Sequence, residues 1–406
     1  HRPSRAGRAK NRLPVRSAPC SARSGKLEQS GIDVRYASKS KVMHHKFMIV
    51  DGPVAGSGGQ VATERAKTAW LVTGSGNWSG GAQTIYDENT AFLRGAPALV
   101  LRYQREFNRL WNYSHDFVCS SFSYTPAAKL DSATFPADPD TDALFTSKNF
   151  KKNLTWTVIK GSYHVANAIA AELNKAKTSI HVASGHFRSW PIHDALVKLK
   201  AARPGLEIKV YLDGQEYVSK WYSDKQEQQT ASCVAAAGSD AARRLECRLD
   251  SGDYYSYRLH RQQIPVRFKY YAYRWDYHYA KQMHNKYIVI DGKTLITGSY
   301  NLSDNAERGT MENVVVLRGA PYKQLIADYE ASFTRLWETD KSGSKLAALR
   351  SAVQSSSSIP LVFAPMALTW DQITSLKALI RANCTQIDSP DYKKNPHKHT
   401  TCPRSP

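Results

Sequence analysis

Two short stretches of this sequence place histidine, lysine and aspartate at the same spacing. They are His44-His45-Lys46 with Asp51, and His284-Asn285-Lys286 with Asp291. Two imidazoles and two ammonium groups in one site could attack a phosphodiester, protonate its leaving group and hold its non-bridging oxygens. The sequence therefore predicts one phosphodiester-cleaving site built from two half-sites.

Each motif is followed by a Gly-Ser-x-Asn turn and then by a glutamate. The turns are Gly74-Ser75-Gly76-Asn77 and Gly298-Ser299-Tyr300-Asn301, and Glu88 and Glu312 come eleven residues after the asparagines. We expect Asn77 and Asn301 to join Lys46 and Lys286 in binding phosphate oxygens, with the hydroxyls of Ser75 and Ser299 close by. A carboxylate on Nδ1 would fix the tautomer of each catalytic histidine, which predicts that role for Glu88 and Glu312.

The elements around the motifs also occur twice, which indicates two related halves. Short apolar runs, Phe47-Met48-Ile49-Val50 and Tyr287-Ile288-Val289-Ile290, predict buried strands, and each half closes on a helix ending in Phe-x-Arg-Leu-Trp. If the His-x-Lys triplets lie on these strands, His and Lys share one face. Asp51 and Asp291 then lie at the far strand ends. We expect them to fix strand ends or the interface between halves.

The lead-in to the second motif predicts alternating helices and strands. These are helices over Val165–Ala176 and Ile192–Ala202 and strands over Ser179–Ala183 and Glu207–Leu212. From Leu154 this lead-in takes 130 residues, whereas 43 residues precede His44. We therefore expect the first half to be N-terminally truncated or misassembled.

The predicted boundaries follow from these patterns. They are a disordered basic segment over 1–30, a first half over 31–120, a linker over 121–150, a second half over 151–340, and a C-terminal extension with a basic tail over 341–406. Within the extension we expect a Ser- and Lys-rich connection up to residue 358 and a short helix over Trp370–Ala382.

The pattern H-x-K-x4-D followed by G-S-x-N resembles the signature of the phospholipase D superfamily. The resemblance implies an α/β fold with two pseudo-symmetric αβα-sandwich halves and the active site at their interface. It further implies His44 as nucleophile, forming a phosphohistidine, and His284 as acid and later base. Because lysines serve where other enzymes use a divalent cation, no metal and no cofactor are expected.

Charge and cysteines suggest a partner and a compartment. The net charge is +21, and subtracting the eight basic residues of positions 1–26 leaves +13 for the rest of the chain. This favours polyanionic partners. Cys233 with Cys247, and Cys384 with Cys402, could close loops of roughly 15 residues, each disulfide adding about 3 kcal/mol. We expect a secreted or extracytoplasmic monomer, and the absence of an apolar run of about 18–20 residues predicts no transmembrane segment.

The substrate is less clearly defined by the sequence. Aromatic and basic residues are dense over Tyr254–Tyr279, which could seat in a lipid interface, stack on unpaired bases, or form a strand with core aromatics. Two motifs in one chain favour a phospholipid at a membrane surface, hydrolysed to phosphatidic acid. The alternatives are a metal-independent endonuclease acting on nucleic acid, a phosphatidyltransferase, and a non-enzymatic basic remnant.

The C-terminal tail offers three metal ligands by residue type. His397, His399 and Cys402 could bind a metal, but a solvated tail is the favoured interpretation.

Overall fold

The computed structural model describes residues 20–37, 41–54, 63–117, 127 and 129–405. Its α-helices are α1 Arg23–Gln29, α2 Gly80–Thr84, α3 Pro97–Asn112, α4 His164–Leu173, α5 Trp190–Ala202, α6 Lys220–Ala236, α7 Ala241–Leu249, α8 Ser256–Arg261, α9 Asp304–Arg308, α10 Lys323–Trp337, α11 Ser344–Ser355, α12 Trp370–Asn383 and α13 Pro390–Lys394. Its longer strands are β3 Phe47–Val50, β4 Trp70–Gly74, β5 Thr90–Arg94, β7 Thr141–Phe145, β8 Ser179–Ser184, β10 Glu207–Asp213, β11 Val266–Ala272, β12 Lys286–Ile290, β13 Thr294–Gly298, β16 Asn313–Arg318 and β18 Val362–Thr369. The shorter ones are β1 Arg35–Tyr36, β2 Val42–Met43, β6 His115–Asp116, β9 Phe187–Arg188, β14 Leu302–Ser303, β15 Thr310–Met311, β17 Ser358–Pro360 and β19 Thr401–Pro403.

The second half is built on an eight-stranded mixed sheet. Its order is β18-β11-β10-β8-β12-β13-β16-β7, with β11, β10 and β8 parallel to one another. Both faces are covered, because alternate residues of β12 pack into two different core clusters, Ile288 and Ile290 in one and Tyr287 and Val289 in the other. The predicted α/β class and the alternating lead-in are confirmed.

The first half has a three-stranded antiparallel sheet of order β3-β4-β5. One face, with Ile49, Leu71 and Leu93, packs against α3 in a core cluster that also contains Tyr287 and Val289 of the second half. On the other face Met48 is 44% and Phe92 65% exposed. The αβα layering expected of both halves is therefore complete only in the second, because no described helix covers this face of the first sheet.

Three predicted features of the chain need correction. Within the segment over 1–30 that was expected to be disordered, Arg23–Gln29 form α1, and residues 1–19 lie outside the described residues. The linker over 121–150 ends at residue 140, because β7 pairs with β16 as the edge of the large sheet. The connection over 338–358 contains α11, whose Leu346, Leu349 and Val353 pack into the core.

The C-terminal tail is folded instead of solvated. Cys402 is disulfide-bonded to Cys384, and β19 pairs with β17. His399 binds Asp391 through Nε2 at 2.8 Å. The three proposed tail ligands are thus committed to different partners. Among the described residues, no helix is both long enough and apolar enough to cross a bilayer.

Candidate active site

Each half brings its functional residues to one edge of its sheet. In the second half β12 begins at Lys286, β13 ends at Gly298 before the Gly-Ser turn, and β16 begins directly after Glu312. Because neighbouring antiparallel strands run in opposite directions, these three points are adjacent. The first half repeats the arrangement with β3, β4 and β5. His44 and His284 precede the strands in extended segments, so they do not lie on the strands as predicted.

The two halves exchange their glutamates. His44 Nδ1 lies 2.7 Å from Oε1 of Glu312, and His284 Nδ1 lies 2.6 Å from Oε1 of Glu88. The backbone follows the same exchange, because the N–H of His44 donates to the carbonyl of Met311 and that of His284 to the carbonyl of Asp87. Each histidine is therefore oriented by the opposite half, and neither half-site is complete alone.

The turn serines hold these carboxylates in place. The hydroxyls of Ser75 and Ser299 donate to Oε2 of Glu88 and Glu312, each at 2.6 Å. The turns require glycine because a Cβ on Gly298 would lie 2.2 Å from the carbonyl oxygen of Asn313. The serine hydroxyls are thus bound to glutamate, and the expectation that they approach a phosphate directly is not met.

Both motif lysines are buried at the site. Nζ of Lys46 donates to the carbonyl of His44 at 3.0 Å, and Nζ of Lys286 to that of His284 at 2.9 Å. Lys286 Nζ also lies 3.0 Å from Nε2 of His284. Burial lowers the pKa of Lys46, and burial lowers that of Lys286 to about 7. Two desolvated cations this close together favour an anion between them.

The two motif histidines, His44 and His284, differ in their surroundings. Burial, followed by repulsion from Lys286 and Lys46, lowers the pKa of His284 to about 2. The side chain of His284 is 13% exposed and that of His44 is 24% exposed. Among the described residues nothing hydrogen-bonds to Nε2 of His44, whereas Nε2 of His284 faces Lys286.

The turn asparagines lie next to this cluster, at the starts of α2 and α9. The carbonyls of Asn77 and Asn301 accept from the N–H groups of Ser79 and Ser303, which are the N-caps of those helices. Oδ1 of Asn301 is buried without a partner in the described part of the chain. Their contact with a phosphate stays a prediction.

A second pair of asparagines joins the halves. Asn89 donates to Oδ1 of Asn285 at 3.0 Å and accepts from Thr297 and Tyr329 at 2.9 Å. Asn313 makes the matching set in the other half: its Oδ1 faces His45, and its Nδ2 donates to Thr73 and Tyr103. From the sequence alone, neither Asn89 nor Asn313 was assigned a role. The middle residue of each His-x-Lys triplet thus contacts the opposite half.

Comparison with known proteins gives the family. The model of the family described as "Cardiolipin synthase, PLD-like domain" matches residues 8–111 and 169–337, more than half of the chain. The chain belongs to the phospholipase D superfamily. Members of this superfamily are phosphodiesterases and phospholipid-modifying enzymes.

Individual relatives match smaller parts. The mitochondrial cardiolipin hydrolase of Chlamydomonas reinhardtii is 34% identical over 87 residues, which is 21% of this chain and 31% of the relative. That of Xenopus tropicalis is 35% identical over 97 residues, which is 23% of this chain and 38% of the relative. The chain thus spans about a third of the length of these curated relatives.

Solved structures align with this chain at low identity and low TM-score. Phosphatidylserine synthase from Haemophilus influenzae Rd KW20 aligns at 11% identity and a TM-score of 0.40, over 71% of this chain and 60% of that one. The phospholipase D family member Nuc from Salmonella typhimurium aligns at 18% identity and a TM-score of 0.32, over 50% of this chain and 95% of that one.

The predicted secreted or extracytoplasmic location is wrong by these comparisons, because the curated relatives are named as mitochondrial proteins. The disulfides behind that prediction are present between Cys233 and Cys247 and between Cys384 and Cys402. Paired cysteines therefore indicate a bonding state and do not by themselves identify export.

This superfamily member has a third histidine at the site, His186, which the motifs did not reveal. Ser184 pairs with Lys286 across β8 and β12, and the N–H of Gly185 donates to the carbonyl of Asn285, so His186 stands opposite His284. Nδ1 of His186 lies 2.9 Å from Oε1 of buried Glu216, which also binds Arg188. The strand pairing that reveals His186 has no signal in the sequence.

The aromatic stretch Tyr254–Tyr279 is mostly core. Its side chains occupy α8, β11 and the turns around them, and Tyr255, Tyr270 and Tyr273 are at most 3% exposed. Tyr277 is the exception at 73%. Of the three interpretations, a lipid interface, stacking on bases and a strand with core aromatics, core packing describes most of the stretch. The stretch forms a helix and a strand instead of one strand.

One metal-compatible cluster occurs among the described residues. Donor atoms of Asp276, His278 and His397 all lie within 4.8 Å of one another. His278 Nδ1 is hydrogen-bonded to Asp276 at 2.7 Å, and the rings of His278 and His397 stack. The hydrogen bond and the ring stacking therefore explain why these three side chains lie together.

The motif aspartates lie away from the imidazoles, at the far ends of β3 and β12. The carboxylate of Asp291 accepts from the backbone N–H groups of Lys177, Thr178 and Ser179 at 2.7–3.0 Å, and these bonds lower its pKa. Asp51 stands exposed at the equivalent turn, where no described strand runs alongside. The two residues have nearly the same backbone, with φ of 55° and 56°.

This difference predicts unequal effects of alanine. We expect Asp291→Ala to lower the free energy of unfolding by about 2 kcal/mol, because it removes several charge-assisted bonds to the backbone amides at the start of β8. Asp51→Ala is the matched control, with the same backbone strain, and should cost less than about 0.5 kcal/mol. Urea titration at pH 7 measures both. Equal losses would contradict the assigned role of Asp291.

Proposed function

We propose that this chain transfers the phosphatidyl group of a glycerophospholipid to an alcohol or to water through a phosphohistidine. The observation that supports this most is the crossed pair of His–Glu contacts around two buried lysines. Such an arrangement supplies a nucleophile, an acid and anion-stabilising donors from protein groups. Because His44 sits 2.7 Å from Glu312, the first half-site is assembled beside its three-stranded sheet, which argues against a non-enzymatic remnant.

The phospholipid substrate is supported by two further observations. The relatives above are named as cardiolipin hydrolases, and the matching family as cardiolipin synthase. Apolar side chains are also exposed beside the site: Val42 and Met43 immediately precede His44, and Trp78 immediately follows Asn77. Exposed apolar and aromatic groups at a site entrance suit an enzyme that works at a lipid interface.

We assign the attacking nitrogen to Nε2 of His44, which belongs to the more exposed imidazole and has no hydrogen-bond partner among the described residues. The His44–phosphorus bond forms as the bond to the leaving alcohol breaks, and His284 gives that oxygen its proton. A bound phosphodiester anion between Lys46 and Lys286 offsets the repulsion that lowers the pKa of His284. Lys286, 3.0 Å from Nε2 of His284, can share its proton with the imidazole.

The second step reverses the first. An alcohol or water oxygen attacks phosphorus, its proton passes to His284, and the bond to His44 breaks. Hydrolysis and transfer therefore differ only in the acceptor, and both regenerate the starting enzyme.

To test this, the protein is incubated with vesicles of phosphatidylcholine, phosphatidylglycerol or cardiolipin in aqueous buffer containing EDTA and added ethanol. A separate incubation contains single-stranded DNA and EDTA. We expect phosphatidylethanol from the vesicles, because a covalent intermediate partitions between water and ethanol. Asp51→Ala serves as an active control. Nicked DNA without phosphatidylethanol would mean an endonuclease, and no product from either would exclude the proposed chemistry.

A further inference from the structure

A cavity of about 340 Å³ lies apart from the catalytic residues, at the carboxyl ends of the parallel strands β10 and β11. Its walls come from the turn after β10, the end of β11, α12 and α13. Ligands of open α/β sheets bind at the carboxyl ends of parallel strands. The volume falls within the range of small-molecule sites.

The cavity is lined by cations with little acidic compensation. Lys377 on α12 has its Nζ over the rings of Tyr217 and Tyr273 and donates to the carbonyl of Tyr273 at 2.9 Å. Arg274 and Lys393 complete the basic lining. With Lys377 they give a strongly positive wall.

One carboxylate, that of Asp388, forms the ion pairs with the basic residues around this cavity. Asp388 lies 3.4 Å from Arg274, 2.8 Å from Arg381 and 3.6 Å from Lys393. No carboxylate forms an ion pair with Lys377 among the described residues. Four cations therefore surround a single acid, and the surplus is about three positive charges. Solvent screens Arg381 and Lys393, whose side chains are more than half exposed, but it screens the less exposed Lys377 and Arg274 much less, so these two favour a bound anion.

The ammonium group of Lys377 has donors to spare. In the described part of the chain its Nζ makes one hydrogen bond, to the carbonyl of Tyr273, although an ammonium group carries three N–H donors. Burial, then Arg274 and Arg381, lowers the pKa of Lys377 to about 7, and a bound anion would oppose that shift.

We propose that this cavity is a binding site for a phosphate monoester group, with Lys377, Arg274 and Lys393 holding its charge. A phosphate dianion matches the charge surplus and offers enough acceptor oxygens for these donors. The group could belong to a soluble metabolite or to a lipid headgroup. The site does not depend on the proposed activity.

The cavity also adjoins the loop that carries His284. Gly214 and Gln215 of its lining follow Asp213, whose Oδ2 accepts from the N–H of Met283 at 2.8 Å. A ligand here would therefore contact the segment that positions the catalytic imidazole.

The experiment is calorimetric titration with inorganic phosphate. Lys46→Met/Lys286→Met is the background, because it removes phosphate binding at the catalytic centre. We expect one phosphate per chain in this background. Adding Lys377→Met should weaken binding at least about 10-fold, since a charge-assisted bond is lost. Lys394→Met, on the same helix as Lys393 and outside the lining, is the matched control and should not change the affinity.

Two further measurements complete the test. Wild type should bind two phosphates and Lys377→Met one, which keeps the result interpretable if the double background unfolds. Sulfate, which keeps its charge across neutral pH, should bind more weakly as pH rises through about 7, because Lys377, beside Arg274, Arg381, Lys393, Asp388, Tyr217 and Tyr273, then loses its proton. Equal affinities for the Lys377→Met and Lys394→Met proteins would overturn the proposal.

Vesicles separate the two sources of the phosphate. If Lys377→Met weakens sedimentation with phosphatidic acid vesicles as well as phosphate binding, the ligand is a lipid headgroup. If only inorganic phosphate binding weakens, the site serves a soluble ligand. Phosphatidylcholine vesicles, which carry no monoester, are the control for both.

Discussion

Replacing His284 by asparagine should leave an enzyme that releases one equivalent of nitrophenolate from bis(p-nitrophenyl) phosphate and then stops. Nitrophenolate leaves without protonation, so His44 can still attack phosphorus. The second step needs a base to activate water, and without His284 the phosphohistidine accumulates. His44→Asn should show no burst. On phospholipids, both substitutions should lower kcat by about 10⁴-fold or more.

Stopped-flow absorbance measures the burst, and peptide mapping locates the phosphate. His278→Asn is the control, since His278 is exposed and hydrogen-bonds within its own loop. A burst from His44→Asn but not from His284→Asn would reverse the assigned order. A burst from both variants would show that neither histidine is the nucleophile. The lipid substrate is tested separately, by the phosphatidylethanol experiment.

The motif chemistry could be predicted from the sequence because the relevant residues are close together along the chain and occur twice. The aligned repeats placed Glu88 and Glu312 near the histidines. They could not show that each glutamate binds the histidine of the other half, 196 and 268 residues away. That exchange is a property of the interface, and either pairing preserves the same local spacing.

Hydrophobic periodicity predicted secondary structure correctly in segments where a single helical or strand pattern was present. The strand Ser179–Ser184 and the helix Trp190–Ala202 lie within two residues of their predicted bounds. It failed at the C-terminus, where Cys402 and the β17–β19 pair depend on contacts with distant residues. Tyr254–Tyr279 was ambiguous because aromatic side chains suit a buried sheet as well as a ligand surface.

The half-sites look symmetric in sequence and are unequal in structure. Asp291 is bonded to the start of β8, whereas no described strand lies beside Asp51. His186 and Asp213, at the ends of β8 and β10, support the second motif. The second half therefore provides most of the rigid framework. The first half is positioned on it through the shared core cluster as well as through Asn89, Asn313 and the exchanged glutamates.

Glu88 should make activity depend on pH near neutrality. Burial raises the pKa of Glu88 to about 7 in spite of the favourable charge of Lys286 and the hydrogen bond from Ser75. Only the ionised carboxylate orients His284 and balances a proton on its ring. We expect kcat/KM to fall as pH drops through about 7. Glu88→Gln should flatten this limb and lower the rate roughly 10²-fold at pH 8.

The same shift predicts the opposite effect on stability. A carboxyl whose pKa is raised by folding stabilises the fold while protonated, and that contribution is lost as pH rises through about 7. At pH 8 the buried, ionised Glu88 therefore lowers the free energy of unfolding of the wild type, and the neutral glutamine of Glu88→Gln does not. We expect the variant to gain about 2 kcal/mol in urea unfolding at pH 8 and little at pH 5. We therefore expect the Glu88→Gln protein to be much less active but more stable than wild type. If the variant were instead less stable at pH 8, the hydrogen bonds and charges around Glu88 would outweigh its burial, and burial would not set its pKa.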